Sequence, residues 1–305
     1  MEQTVASCFE LYLARSDLRP ASVRFKRQAL SHFLKWFGDL PVGDVTPAVA
    51  EDYRTLLVKG RSKRTANGYL ANFKPFWNWL RRHGKIAVSP FDQVRAFKLT
   101  EPVRDTFTPA ELGRMMRVAD GLWRARICLG LLGCRRGEML NIVAEDVHLD
   151  DSVPHVLLTP KAPGPDRWGW ELKDHAIRYV ALPEAMAFDG CVVDLHGTIR
   201  SLPGPYLFLE ERYWRRHVGK DWVADPTGNF QRMFRAVQRR AQVTPRRFHE
   251  LRAAFATAMI TAVGLSRAAD ALGHSTTQLT RKYDRKSGLS LLADVGLVAR
   301  KCYLS

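Results

Sequence analysis

Cysteine is scarce and unpatterned in this 305-residue chain: Cys8, Cys128, Cys134, Cys191 and Cys302 are odd in number and include no Cys-x-x-Cys pair. Such a set suits neither a disulfide framework nor a cysteine zinc site, and it points to a reducing cytoplasm. No uncharged apolar run reaches the roughly eighteen residues needed to cross a bilayer. The opening residues also lack the basic start and small-residue cleavage site of a secretory signal, so neither membrane insertion nor export is expected. A Gly-x-x-x-x-Gly-Lys-Ser/Thr loop is missing, which removes the usual nucleotide-phosphate cradle. Solenoid-length repeats and low-complexity tracts are missing too. Acidic side chains are in deficit, with 31 Asp and Glu against 47 Lys and Arg.

The resulting net charge of +16 favours a polyanionic partner, nucleic acid first. Residues 1–102 hold 17 Lys/Arg against 9 Asp/Glu, so half of the excess falls in the first third of the chain. A footprint shared by both parts predicts a ligand gripped between them. At 46% apolar and 10% aromatic content there is material for two buried cores, which excludes disordered and fibrous classes.

The first hundred residues read as short helices. Ala29, Leu30, Phe33, Leu34 and Phe37 recur with helical period after Arg19-Pro20, and Gly38 supplies a stop. Thr46-Pro47 provides a cap and first-turn proline for a segment running to Gly60. A third helix is predicted from Ser62 to His83, ending at Gly84, with Tyr69, Leu70, Phe73, Phe76, Trp77 and Leu80 as its apolar stripe. Its early turns carry Arg61, Lys63, Arg64, Asn67, Asn72 and Lys74. Long cations reach phosphates and amides read base edges, so these six are the candidate DNA-binding residues.

Between Ser89 and Phe107, Pro90 and Pro102 interrupt any periodicity, which places a linker there and a second domain from about Arg104. Thr108-Pro109-Ala110-Glu111 has the spacing of a capping box. An apolar helix around Ile127 to Leu132, β-like runs at His155–Thr159 and Ile177–Leu182, and helices from about Asn229 complete the reading. The tail beyond Tyr283 offers an apolar helical face at Leu289, Leu291, Leu292, Val295 and Leu297.

Chemistry concentrates near the C-terminus in His249-Glu250-Leu251-Arg252, then Gly273-His274, then Tyr283. Three apart on a helix, His249 and Arg252 can address one anion. Gly273 allows a turn that presents His274, and a tyrosine shortly afterwards can enter the same pocket. Upstream, Gly133-Cys134-Arg135-Arg136-Gly137-Glu138 sets an arginine at a helix start, where paired guanidinium donors and the helix terminus both suit phosphate. Glu138 reads as structural support for a neighbouring cation.

In this combination the chain resembles the tyrosine recombinases, the phage-integrase and Xer-type site-specific recombinases. Gly133, Arg135 and Glu138 match the family's Gly-x-Arg-x-x-Glu-Leu box, with Met139 in place of leucine. His249, Arg252, Gly273, His274 and Tyr283 match its second box. Lys173 precedes Arg178-Tyr179-Val180-Ala181-Leu182 by five residues, the family's interval between a hairpin lysine and an Arg-x-Val-x-Leu strand. Departures occur at Leu132, Ala181, Ala253 and Ala254, none of which must move a proton or hold charge. The long stretch from Asp150 to Trp168 leaves Lys161 as a rival to Lys173.

The resemblance implies a mainly helical fold with a small β-sheet. A helical, SAM-like core-DNA-binding domain with its linker would occupy residues 1–103, and a mixed α+β catalytic domain with a helical tail residues 104–305, the two forming a C-shaped DNA clamp. It implies site-specific cutting and rejoining of double-stranded DNA for integration, excision or resolution. Tyr283 would attack to form a 3′-phosphotyrosyl bond, Arg135 and Arg252 would clamp the phosphate, and His249 would take the tyrosine proton. His274 would hydrogen-bond a non-bridging oxygen, and Lys173 would protonate the leaving 5′ oxygen. No metal or other cofactor is called for, four chains would assemble on two DNA sites through their tails, and the enzyme would work in the cytoplasm on the nucleoid. No separate arm-binding module is evident ahead of the helical domain, which favours simpler Xer-like or mobile-element enzymes.

Rival readings are a type IB topoisomerase-like nicking and resealing enzyme and a DNA-binding regulator that keeps the pocket unused. Pro165-Asp166 with Glu171-Leu172-Lys173 superficially resembles the signature of metal-dependent nucleases, but the acids stand too close in sequence for the two strands such a site requires.

Overall fold

In the computed structural model the described residues are 3–15, 18, 20–100, 106–172, 177–223, 225–273 and 277. The chain divides into two units, Met1–Val103 and Arg104–Ser305.

The first unit is built from α1 (Val5–Ala14), α2 (Pro20–Phe37), a 3-10 turn at Val42–Asp44, α3 (Pro47–Leu57) and α4 (Lys63–Arg82). Caps set the boundaries. Thr46 accepts from the Val49 amide ahead of α3, and Ser62 accepts from the Thr65 amide ahead of α4. The core is dominated by rings: Phe9, Phe33, Tyr53, Phe73, Phe76, Trp77 and Phe91 are all but fully buried. Phe73 sits among Phe33, Tyr53, Trp77 and Phe91 at centroid distances of 5.2 to 5.9 Å, mostly tilted or edge-on, as ring quadrupoles favour. The predicted stripe of α4 is the buried face, except that Tyr69 is only half-buried while Ala66 and Trp79 are enclosed.

The second unit opens with α5 (Pro109–Val118), α6 (Gly121–Leu131) and the single turn α7 (Arg136–Met139). The capping box before α5 is present in both directions, Glu111 N to Thr108 Oγ1 at 3.2 Å and Thr108 N to Glu111 Oε2 at 2.8 Å. Next come β1 (Val147–His148), β2 (His155–Leu158) and β3 (Arg178–Ala181), an antiparallel sheet in the order β1-β2-β3. A hairpin of β4 (Ala185–Phe188) and β5 (Cys191–Asp194) forms a second small sheet. The helices α8 (Leu195–Arg200), α9 (Glu211–Trp214), α10 (Phe230–Arg240) and α11 (His249–Leu272) follow. The continuously buried run Ala125–Leu131 makes α6 the centre of this unit, packed against α8 and α11.

The expected mainly helical chain with little sheet is the observed fold. Among the described residues the strands divide between two sheets, and the sequence reading contains no β4–β5 hairpin. Among the described residues no helix is long and apolar enough to cross a membrane.

Candidate active site

Glu138 is the centre of the second unit's charged cluster, and it is 2% exposed. Its Oε1 accepts from Arg135 Nη1 at 2.6 Å, and its Oε2 accepts from the Arg135 amide at 2.7 Å and from Arg178 Nη2 at 2.5 Å. Arg252 Nη1 stands 4.0 Å from Oε2. Burial alone would raise the Glu138 pKa. The charges of Arg178 and Arg135, with the hydrogen bonds from both, outweigh that and hold it below the usual glutamate value. Glu138 is therefore held in its charged form near neutrality and aligns these cations.

Backbone carbonyls complete the frame. The carbonyl of Gly133 accepts from Arg178 Nη2 at 3.1 Å and also from Arg252 Nη1. Arg252 Nη2 donates to Leu272 O at 2.6 Å, and Arg178 Nη1 donates to Ala271 O at 3.2 Å. Two guanidiniums thus tie the loop before α7 to the far end of α11. Both junctions require glycine. Gly133 has φ +90° and a Cβ there would lie 2.7 Å from Phe255 Cε1; Gly273 has φ +61° and a Cβ would lie 2.8 Å from Arg178 Cδ.

The structure brings Arg135, Glu138 and Arg252 into one cluster. Arg135 remains partly accessible, whereas Arg252 is buried behind it at 1% exposure. His249 opens α11 with its side chain exposed, one helical turn before Arg252. Cys134, enclosed beside the cluster, has its thiol pushed up to about 12 by burial, so it is no nucleophile near neutrality. Lys173, His274, Tyr283 and the tail 288–305 lie outside the described residues.

Arg178 was missed as a site residue. The available signal was a charge at an inward position of the alternating strand Arg178, Val180, Leu182, which demands a buried partner. The side chain of Lys161, the rival hairpin lysine, is 7% exposed; its Nζ donates to Asp146 Oδ1 and, at 2.8 Å, to Thr159 Oγ1. It sits in a small hairpin in which Lys161 pairs with Trp170 and Gly164 with Arg167. Pro165-Asp166 is simply the turn of that hairpin, with Asp166 exposed and 3.5 Å from Arg167 Nε.

In the first unit, Arg61, Lys63 and Arg64 are exposed around the N-terminus of α4. Ser62, Lys63, Arg64, Lys98, Leu99 and Thr100 line one hollow there. Arg61 stacks over the Tyr69 ring at 5.3 Å, which holds its cation at the surface. Asn67 and Lys74 have partners within the unit. The Asn67 amide donates to Phe97 O at 2.9 Å and accepts from Phe97 N at 2.8 Å, while Lys74 Nζ donates to Val94 O. These two groups clasp the 94–97 segment. Asn72 is half-buried and donates to Gly68 O at 2.8 Å within its own helix.

Residues 106–288 match the model of the phage integrase family. The chain belongs to that family. It is a site-specific tyrosine recombinase, an enzyme that cuts and rejoins DNA. The fold of this recombinase is similar to that of lambda integrase 75–356, solved as a dimer bound to a COC′ core site. That match has a TM-score of 0.69 at 17% identity and covers 93% of this chain and 96% of that one. The Tn1549 transposon integrase in complex with transposon right end DNA gives a TM-score of 0.70 at 16% identity, over 94% and 96% of the two chains. A lambda integrase tetramer bound to a Holliday junction gives 0.69 at 17%, over 94% and 79%. At such identities the likeness concerns fold alone. No curated protein matches the sequence.

Proposed function

We propose that this recombinase exchanges strands through a 3′-phosphotyrosyl bond at Tyr283, with residues 104–305 as the catalytic domain and residues 1–103 as the core-DNA-binding domain. The observation that carries the reading is the convergence of Arg135 and Arg252 on Glu138 and the Gly133 carbonyl. Cations fixed before the reaction cost no reorganisation when negative charge builds on the attacked phosphate. Arg135, the more accessible, meets a non-bridging oxygen, and Arg252 reinforces it from the interior.

Attack by the Tyr283 oxygen on phosphorus forms the phosphotyrosyl bond and breaks the bond to the 5′ oxygen. Free tyrosine ionises near pH ~10, so a base is needed, and exposed His249 at the start of α11 takes that proton. Lys173 returns a proton to the 5′ oxygen. The ion pair of Lys161 with Asp146 favours Lys173 for this role. His274 donates to a non-bridging oxygen. A 5′ hydroxyl from a second strand then reverses the step with new connectivity. Exposed Arg61, Lys63 and Arg64 hold backbone phosphates, with the N-terminus of α4 adding its amides.

Four such chains on two sites, joined by their tails, form the working assembly in the cytoplasm; the lambda integrase tetramer on a Holliday junction supports that arrangement. The test is a suicide-substrate trap. The purified protein is incubated in chelator with a nicked library of candidate sites and denatured, and any DNA still attached is sequenced. Covalent adducts at Tyr283 that vanish in Tyr283→Phe are expected. Metal-dependent cleavage without adducts overturns the reading, and relaxation of plasmids lacking any special site replaces it with a topoisomerase. A 5′-bridging phosphorothiolate, whose thiolate leaves without a proton, rescues Lys173→Ala but not Arg135→Ala.

A further inference from the structure

The outer face of the three-stranded sheet carries a cluster that strand transfer does not use. His148 and His155 are direct cross-strand partners in the β1–β2 register. Buried Val156, Leu158, Arg178 and Val180 fix the inner face, so both imidazoles project to the opposite, solvent side. Their rings lie 4.8 Å apart at 17°, nearly parallel. Asp151, in the turn between the strands, places Oδ2 3.8 Å from His148 Nδ1 and 4.0 Å from His155 Nδ1.

One ligand atom from each of the three side chains lies within 4.8 Å of the other two. A tetrahedral ion with bonds of about 2.1 Å needs ligand separations of about 3.4 Å, which small side-chain rotations supply. The supporting groups of a metal site are also present. His155 Nδ1, the nitrogen that faces Asp151, also lies 2.8 Å from Val153 O, a contact that ligation through Nδ1 replaces. The Tyr179 ring packs edge-on against His155 at 5.0 Å and limits its rotation. The adjacent Asp150 is drawn to Arg200 at 2.5 Å.

We propose that His148, Asp151 and His155 bind one divalent transition-metal ion, zinc in the first instance, bracing β1 to β2. Two imidazoles and one carboxylate suit borderline ions such as zinc, whereas magnesium and calcium take oxygen ligands. The brace acts where the sheet is thinnest, since β1 contributes only two residues to its ladder. The site is structural and separate from strand transfer. It lies on the opposite face of the sheet from Arg178, so the inference goes beyond the proposed function.

The full chain, stripped with chelator and desalted, is titrated with zinc chloride against a chromophoric competitor. Wild type is compared with His148→Gln, His155→Gln and Asp151→Asn, each checked for native circular dichroism. One equivalent bound at least tenfold more tightly in wild type than in each variant is expected, with a zinc-dependent rise in Tm lost in all three. Cobalt(II) substitution should give the visible bands of a nitrogen- and oxygen-ligated ion in wild type only. Equal zinc affinity in wild type and variants overturns the proposal, as does a wild-type chain with no zinc-dependent rise in Tm.

Discussion

Two basic regions of this recombinase solve opposite problems with the same residue types. Around the N-terminus of α4, Arg61, Lys63 and Arg64 stand in solvent. Around α7, Arg135, Arg178 and Arg252 converge on one buried carboxylate and a single glycine carbonyl. Exposed cations are screened and flexible, so each adds affinity without geometry. Buried guanidiniums carry a desolvation cost, offset only when every neighbour is aligned, and that alignment is what a reacting phosphate needs. On the proposed function, the first region grips DNA and the second positions its phosphate.

The sharpest way to break this contrast is to remove the anion. Glu138→Ala leaves Arg178 and Arg252 without their charge partner and should cost about 3–5 kcal/mol of stability, read as a large drop in Tm. Acid titration probes the same group more gently. Because the folded pKa of Glu138 lies below the ordinary 4.5, its stabilisation is complete above that value and fades as pH falls through the folded pKa. As pH falls below 4.5, wild type should lose more stability than Glu138→Gln, whose side chain does not titrate there. A wild-type curve parallel to that of Glu138→Gln would show that the carboxylate is not the keystone.

On the exposed side the effect is smaller and of another kind. Lys63→Ala with Arg64→Ala should weaken DNA binding uniformly across sequences and reduce the slope of log affinity against log salt by about 2. Adduct yield at saturating protein should stay near the wild-type level. A loss of cleavage at saturation would mean that these cations position as well as grip.

Much of this contrast was legible in the chain itself, wherever one local rule decided the outcome. Ser62 and Gly84 bounded α4, Thr108 with Glu111 announced α5, and the spacing of Arg135, His249 and Arg252 carried the catalytic reading. What stayed hidden depended on closure in three dimensions. The strand pattern turns the Arg178 charge inward, but its partners are set only when β3 docks beside α7 and α11. The β4–β5 hairpin did leave a mark, Asp189-Gly190 with φ of +43° and +75°, the positive pair that a two-residue hairpin turn favours. Its strands are too short for alternation to stand out.

Asn67 shows what helix-face reasoning leaves out. It lies near Lys63 and Arg64 on α4, and an amide beside two cations invites a base-reading role. Position on a helix face does not reveal whether another part of the chain already covers that face. Residues 94–97 do so here, and Asn67 matches both backbone groups of Phe97. Asn67→Ala should therefore cost about 1–2 kcal/mol of stability through unpaired backbone groups. DNA affinity and its salt slope, measured on the folded variant, should not change. A shifted sequence preference at unchanged stability would return Asn67 to the DNA-reading set and blur the boundary between gripping and positioning.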